Sequence, residues 1–163
     1  MSYLLDSSPQ LNALYDEVLR ITNSSSSVRS VSSKTIVGGF TFHIGMKVII
    51  PYRQLHFDEA VFGADAQVFD AERFLKHKNL NRSPSYRPFG GGSTYCPGRF
   101  IARQEVVAFV AIVLRRFDVE LAKGEKGSRN ALPPLEEKKP CLGVMGPVEG
   151  ADLIVRVKQR TCN

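Results

Sequence analysis

The segment from Arg99 to Phe117, "RFIARQEVVAFVAIVLRRF", constrains this chain more than any other. Val106, Val107, Phe109, Val110, Ile112, Val113 and Leu114 spread over most faces of a helix instead of forming one stripe. A helix of that kind is stable in water only when neighbours cover it on nearly all sides. The other elements readable in the sequence are few and short, so it is expected to be a buried helix in a piece of a larger body. Composition agrees with a globular origin: 43% of residues are hydrophobic and 23% charged. No apolar run reaches membrane-spanning length. Met1 to Gln10 is polar, with no basic start followed by an apolar stretch, so a secretory signal is not expected. The chain reads as soluble, or as having lost its targeting segment.

Upstream, "PQLNALYDEVLRI" from Pro9 to Ile21 predicts an amphipathic helix, with Leu11, Leu14, Tyr15, Val18 and Leu19 at helical spacing. The run from Asn23 to Ser27 predicts a turn, because Asn and Ser hydrogen-bond locally. "SKTIVGGFTFHIGMKVIIPY" predicts short strands broken at Gly38-Gly39 and Gly45. A helical turn is expected in "FDAERFL", an irregular connection from Asn79 to Arg87, and terminal strands at Asp118–Glu120 and Leu153–Val157. A polar linker with a charge cluster at Glu136–Lys139 separates those strands.

The net charge of +6 is carried by scattered Lys and Arg, and no nucleic-acid motif accompanies it. A solvated basic surface is expected and nucleic acid is not. If the charge has a partner, an acidic redox protein fits best. Cys96, Cys141 and Cys162 lie far apart, without CxxC or ligand-spaced His, which disfavours structural zinc and iron–sulfur clusters. Their odd number, with no secretion signal, predicts reduced thiols in a cytosolic setting.

Cys96 stands in "RPFGGGSTYCPGRFIA". Gly90, Gly91, Gly92 and Gly98 allow backbone to approach something flat or bulky. Pro97 suits a helix start. The free N–H groups and positive end of the following helix would face the sulfur and favour thiolate. Such a sulfur is a nucleophile, a metal ligand, or a plain buried cysteine in a glycine-rich turn. A nucleophile needs a base, and His43, His56 and His77 are distant in sequence. The phosphate-loop patterns GxxxxGK[ST] and GxGxxG are absent.

Phe89, Gly92, Cys96 and Gly98, followed by Arg99 and Ala102, resemble the haem-binding signature Phe-x-x-Gly-x-x-x-Cys-x-Gly of cytochrome P450s. Two companions stand in the right order. Glu17-Val-Leu-Arg20 resembles the family's Glu-x-x-Arg motif, and Phe69-Asp-Ala-Glu-Arg73-Phe74 resembles Phe-x-Pro-Glu-Arg-Phe. "LHFDEAVFGADAQVF" resembles the segment leading into that motif. The wording of the loop is similar to that of eukaryotic, fungal-type members.

The resemblance implies an α+β, mainly α, C-terminal fragment of the P450 fold: helix, small β-sheet, meander, Cys loop, long buried helix and terminal β-hairpin. Residues 1–163 would form the C-terminal part of a single domain. It implies haem b as cofactor, with Cys96 as thiolate ligand of the iron, donating electron density that favours O–O cleavage. Backbone N–H groups at the helix start would bond the sulfur. Phe89 would pack beside the haem, Gly92 and Gly98 would let the loop lie close to it, and Ala102 would keep the helix near its plane. Arg29 and Arg87 would meet the propionates, and Glu17, Arg20 and Arg73 would form a buried structural network. The implied activity is monooxygenation of a small organic substrate of sterol, lipid or secondary-metabolite type. Electrons would come from an NADPH–cytochrome P450 reductase-type donor. The whole protein would sit on the cytoplasmic face of the endoplasmic reticulum membrane, held by an N-terminal anchor outside this chain.

The sequence departs from the pattern at Thr94, where many members carry Arg or His for a propionate. It departs also at Ala71 and Glu59, where Pro is usual. No catalytic residue is assigned, because the family's oxygen-activating helix, with an acidic or amide residue next to Thr, belongs upstream of Glu17. Two turns, "NSSSSVRS" and "LGVMGPVEG", are expected to face substrate. The alternatives are a non-catalytic or unfolded fragment and a haem-thiolate isomerase relative.

Overall fold

The computed structural model describes residues 8–121, 133–139, 141 and 143–160. Cys162 and the first polar residues lie outside them, as does the Thr94 side chain. Helix α1 runs Pro9–Thr22 because both ends are capped. The Ser8 hydroxyl accepts from the Leu11 N–H at 3.3 Å, and Pro9 opens the first turn. The Asn23 N–H donates to the Leu19 carbonyl at 3.0 Å. Its inward face differs from the expected apolar stripe. Of those five residues only Tyr15 is buried and Val18 is exposed, whereas Asp16, Glu17 and Arg20 are buried with Ala13 and Ile21. The charges face inward because each finds a partner there, which offsets their desolvation.

The serine run is a second correction. Ser26 and Ser27 open strand β1 (Ser26–Ser30), which pairs antiparallel with β4 (Lys47–Pro51), Ser27 opposite Ile50 and Val28 opposite Ile49. The ladder with an apolar partner outweighs the weak strand preference of serine. Between them β2 (Thr35–Val37) and β3 (Phe40–Phe42) form a hairpin with Val37 opposite Phe40. Its turn is Gly38-Gly39, at φ +56° and +83°, a left-handed pair that matches the twist of the flanking strands.

Three short helices follow: α2 (Tyr52–His56), α3 (Glu59–Phe62) and α4 (Arg73–Lys76), the last overlapping the end of the predicted helical turn. They close over α1. Ala13, Phe62, Ala66, Phe74 and Tyr86 make an apolar cluster, with Val61, Leu75 and Leu80 against it. The largest fully buried side chains are polar: Arg20, His56 and Glu17.

Helix α5 spans Arg99–Arg116 and runs directly into β5 (Phe117–Leu121), which pairs antiparallel with β6 (Val155–Gln159), Val119 opposite Val157. The second terminal strand thus starts two residues later than expected. The apolar faces of α5 outnumber what the other described elements can cover, as its sequence led us to expect of a piece of a larger body. Only Val107 is buried along it, while Ile101 is 62% and Phe109 69% exposed. Within the described residues α5 packs on α1 and β5, so its other faces have nothing to cover them. The C-terminal turn docks back onto α1: the Met145 N–H donates to Thr22 O at 2.8 Å and Ser24 N–H to Gly143 O at 2.9 Å, with Met145 buried.

Candidate functional site

The loop from Arg87 to Gly98 is pinned at successive residues. The Arg87 N–H donates to His56 Nε2 at 2.9 Å, and the Asn23 side-chain amide donates to Pro88 O at 2.7 Å. The Cys96 N–H then donates to Phe89 O at 3.1 Å, closing the loop on itself. Between these ties Gly90 and Gly92 adopt φ +84° and +70°, which side-chain-bearing residues rarely do. Gly91 is required for space instead, since a Cβ there would lie 3.0 Å from Arg87 Nη1. A Cβ at Gly92 would meet nothing within 4 Å, so the loop faces open space at that point.

Cys96 is exposed and stands three residues before the N-terminus of α5. Its sulfur makes no hydrogen bond among the described residues, so the expected N–H bonds from the helix start are not formed here. The Cys96 carbonyl instead accepts from Arg99 Nη1 at 2.8 Å, and the Arg99 guanidinium lies over the Tyr95 and Phe100 rings. A Cβ at Gly98 would sit 3.8 Å from the sulfur, an ordinary contact. Ala102 is half-buried in the first turn of α5, its N–H donating to Gly98 O. Arg29 Nη2 donates to Gly91 O at 3.4 Å and Arg87 Nε to Pro84 O at 2.7 Å, so both guanidiniums border Gly91.

Behind the loop, Glu17, Arg20 and Arg73 meet. Arg20 binds Glu17 through two parallel bonds of 2.8 Å, Nε to Oε2 and Nη2 to Oε1. Arg73 Nε reaches Glu17 Oε1 at 3.3 Å, and the Asp70 N–H reaches the same oxygen at 3.0 Å. The remaining donors go to backbone carbonyls, among them Arg20 Nη1 to His56 O and Ala66 O and Arg73 Nη1 to Phe62 O, and, from Arg73, to the Asp65 carboxylate. Burial alone would lower the Arg73 guanidinium, but Asp65 and Glu17 more than reverse it, so it is raised. The Arg73 bond holds the Asp65 carboxyl below its usual range.

Sequence reasoning missed four residues that tie these parts together. His56 is buried between Arg20 and Arg87. Tyr86 donates its hydroxyl to Asp16 O at 3.0 Å, and burial raises its ionisation well above the usual range. Asp16 accepts from Arg103 Nη1 at 3.1 Å, which links α1 to α5. Burial raises the Asp16 carboxyl and Arg103 opposes that shift. Arg103, set among the residues of an apolar-rich helix, was the one available signal. The others depend on residues distant in the chain.

A family profile described as cytochrome P450 matches residues 4–140. The cytochrome P450 monooxygenase calL of Penicillium decumbens is 32% identical over 168 residues, covering 94% of this chain and 31% of that protein. The bifunctional cytochrome P450/NADPH–P450 reductase of Gibberella moniliformis is 32% identical over 118 residues, 71% of this chain and 11% of that protein. The solved structure of a retinoic acid-bound cyanobacterial CYP120A1 superposes with a TM-score of 0.76 at 26% identity, covering 98% of this chain and 34% of that one. The chain belongs to the cytochrome P450 family, and its mixed fold of helices and small sheets is that of the family. It spans between a quarter and a third of the length of the first curated relatives it matches.

Haem is the cofactor the family implies, and the donor set fits it. Among the described residues no three His, Cys, Asp or Glu side chains converge to hold a metal. An iron at Cys96 would therefore need its other donors in one group, as a porphyrin supplies, and Cys96 is exposed, its sulfur without a competing hydrogen bond among the described residues. No helix among the described residues is long and apolar enough to cross a membrane.

Proposed function

We propose that this chain is the iron-gripping, C-terminal part of a single-domain haem-thiolate monooxygenase, acting on a small organic substrate of sterol, lipid or secondary-metabolite type. The observation that carries the reading is the exposed Cys96, whose sulfur makes no hydrogen bond among the described residues, on a loop whose backbone is tied at Arg87, Pro88 and Phe89. Cys96 would hold the iron of haem b. Phe89, Gly92, Gly98 and Ala102 would shape the surface against the ring, and Arg29 and Arg87 would bind its propionates. The bound group supplies the oxygen-activating redox chemistry. The network of Glu17, Arg20 and Arg73 acts as scaffold behind the loop. Glu17 and Arg20 are out of contact with solvent. The two turns read as substrate-facing are hydrogen-bonded to each other through Ser24 and Gly143, which is consistent with one shared wall.

An NADPH–cytochrome P450 reductase-type electron donor is supported by the relative whose name joins both activities. A place on the cytoplasmic face of the endoplasmic reticulum membrane belongs to the same reading of the whole protein. The deciding experiment is the ferrous–CO spectrum after expression with haem. A strongly red-shifted Soret band that disappears in Cys96→Ser is expected, and a band that survives the substitution refutes thiolate ligation. A second reading, a non-catalytic chain, is favoured by the bare apolar faces of α5. Absence of any haem uptake would select it, and turnover of a substrate by this chain alone would exclude it.

A further inference from the structure

His56 has no contact with solvent, and although it stands in the segment "LHFDEAVFGADAQVF", the sequence assigns it no role. Both of its ring nitrogens are engaged. Nδ1 lies 3.2 Å from the Arg20 carbonyl, which can only accept, so Nδ1 carries the proton. Nε2 lies 2.9 Å from the Arg87 N–H, which can only donate, so Nε2 offers its lone pair. The imidazole is therefore neutral and held in one tautomer. Arg20 returns the first bond, its Nη1 donating to the His56 carbonyl at 2.8 Å. The ring also packs near Tyr86, with centroids 5.6 Å apart. One face of His56 is thus fixed to the buried ion network, and the other holds the residue where the Cys96 loop begins.

We propose that His56 is a positioning residue that transmits the fixed geometry of the Glu17–Arg20–Arg73 network to the Cys96 loop through the Arg87 amide. The route is short: Arg20 to His56, His56 to Arg87, and from Phe89 O to the Cys96 N–H. The part of the inference that concerns iron rests on the reading of Cys96 as its ligand. The part that concerns the loop does not. A proton on Nε2 would remove the acceptor for Arg87, and burial keeps it off, holding His56 at about 4.

Residue-resolved amide exchange tests this in the unsubstituted chain, His56→Asn and His56→Gln. Asn places its amide nitrogen where Nδ1 stands and keeps a donor for Arg20, but it cannot reach Arg87. Gln places its terminal oxygen near Nε2 and can accept from Arg87. Exchange at the Arg87 and Cys96 amides is expected to quicken about tenfold in H56N and to stay within about threefold of the unsubstituted rate in H56Q. The α1 amides are expected to keep their protection in both. No acceleration in H56N, equal acceleration in both variants, or loss of α1 protection in both would overturn the proposal, the last by making His56 a core filler. With haem bound, the thiolate-type Soret fraction of the ferrous–CO form should fall in H56N and recover in H56Q. Equal fractions in all three forms overturn the link to the iron. If the unsubstituted chain gives no thiolate band, the haem reading fails, and amide exchange still decides whether His56 holds the loop.

Discussion

Arg20→Ala would leave the Glu17 carboxylate buried with only Arg73 and the Asp70 amide, and would strip donors from the His56 and Ala66 carbonyls. Removing one partner of a buried pair costs about 3–5 kcal/mol. Urea denaturation should therefore show a loss of that size, and purified R20A should retain no haem. The pH dependence of stability is set at the same place. Burial is the main cause that lowers His56 from 6.5 to about 4; the bond to the Arg20 carbonyl opposes it, and the charges of Arg20 and Arg53 add to it. Between those two values the unfolded chain takes up a proton that the folded chain refuses. The contribution is present above pH 6.5 and lost as pH falls to about 4, roughly 3 kcal/mol in all. Asp16, raised chiefly by burial, runs in the opposite sense above its ordinary 3.8. The readout is therefore the difference between the unsubstituted chain and H56N, denatured at pH 7 and at pH 4.5. H56N should show the flatter dependence, and equal slopes would remove His56 from the account.

At the scale of elements, Gly38 and Gly39 occupy a turn whose left-handed geometry Asn also accepts. Gly38→Asn should stabilise the hairpin by about 0.4–1 kcal/mol, because it restricts the unfolded chain without straining the folded one. A rise in melting temperature of the G38N chain is the expected measurement. The hairpin, α1 and α5 were legible in the sequence because each carries its own periodicity or turn residues. β1 was not, since serine has no strand preference of its own and the partner that orders it, Ile49-Ile50, comes some twenty residues later. α2 and α3 are too short to show a helical period. The Cys96 loop was legible for the opposite reason: several residue types with narrow backbone or chemical roles stand close together there. Glu17, Arg20 and Arg73 could be picked out as a set only through the resemblance to a family. His56, Tyr86 and Asp16 act through contacts that join distant segments, and no local pattern marks such contacts.

At the scale of the whole chain, the faces of α5 left bare among the described residues are expected to dominate its behaviour in solution. Ile101, Phe109 and Ile112 are each more than half exposed, and large exposed apolar surface drives association. The chain should sediment as concentration-dependent oligomers, and Phe109→Lys should shift it towards monomer without loss of helix content. An unchanged sedimentation profile would locate the sticky surface elsewhere, for instance on the exposed β2–β3 hairpin with Phe40 and Ile36. The buried guanidiniums impose a different kind of constraint. Arg20 draws on the carbonyls of His56, Ala66 and Val68, and Arg73 on those of Phe62, Asp65 and Val68. Every one of these acceptors belongs to the backbone. One residue added or deleted between positions 57 and 65 would displace the downstream acceptors by about 3.8 Å, farther than a hydrogen bond can follow. The two arginines thus act as a gauge of contour length: they hold the spacing of this segment constant while leaving the identity of most of its side chains open to change.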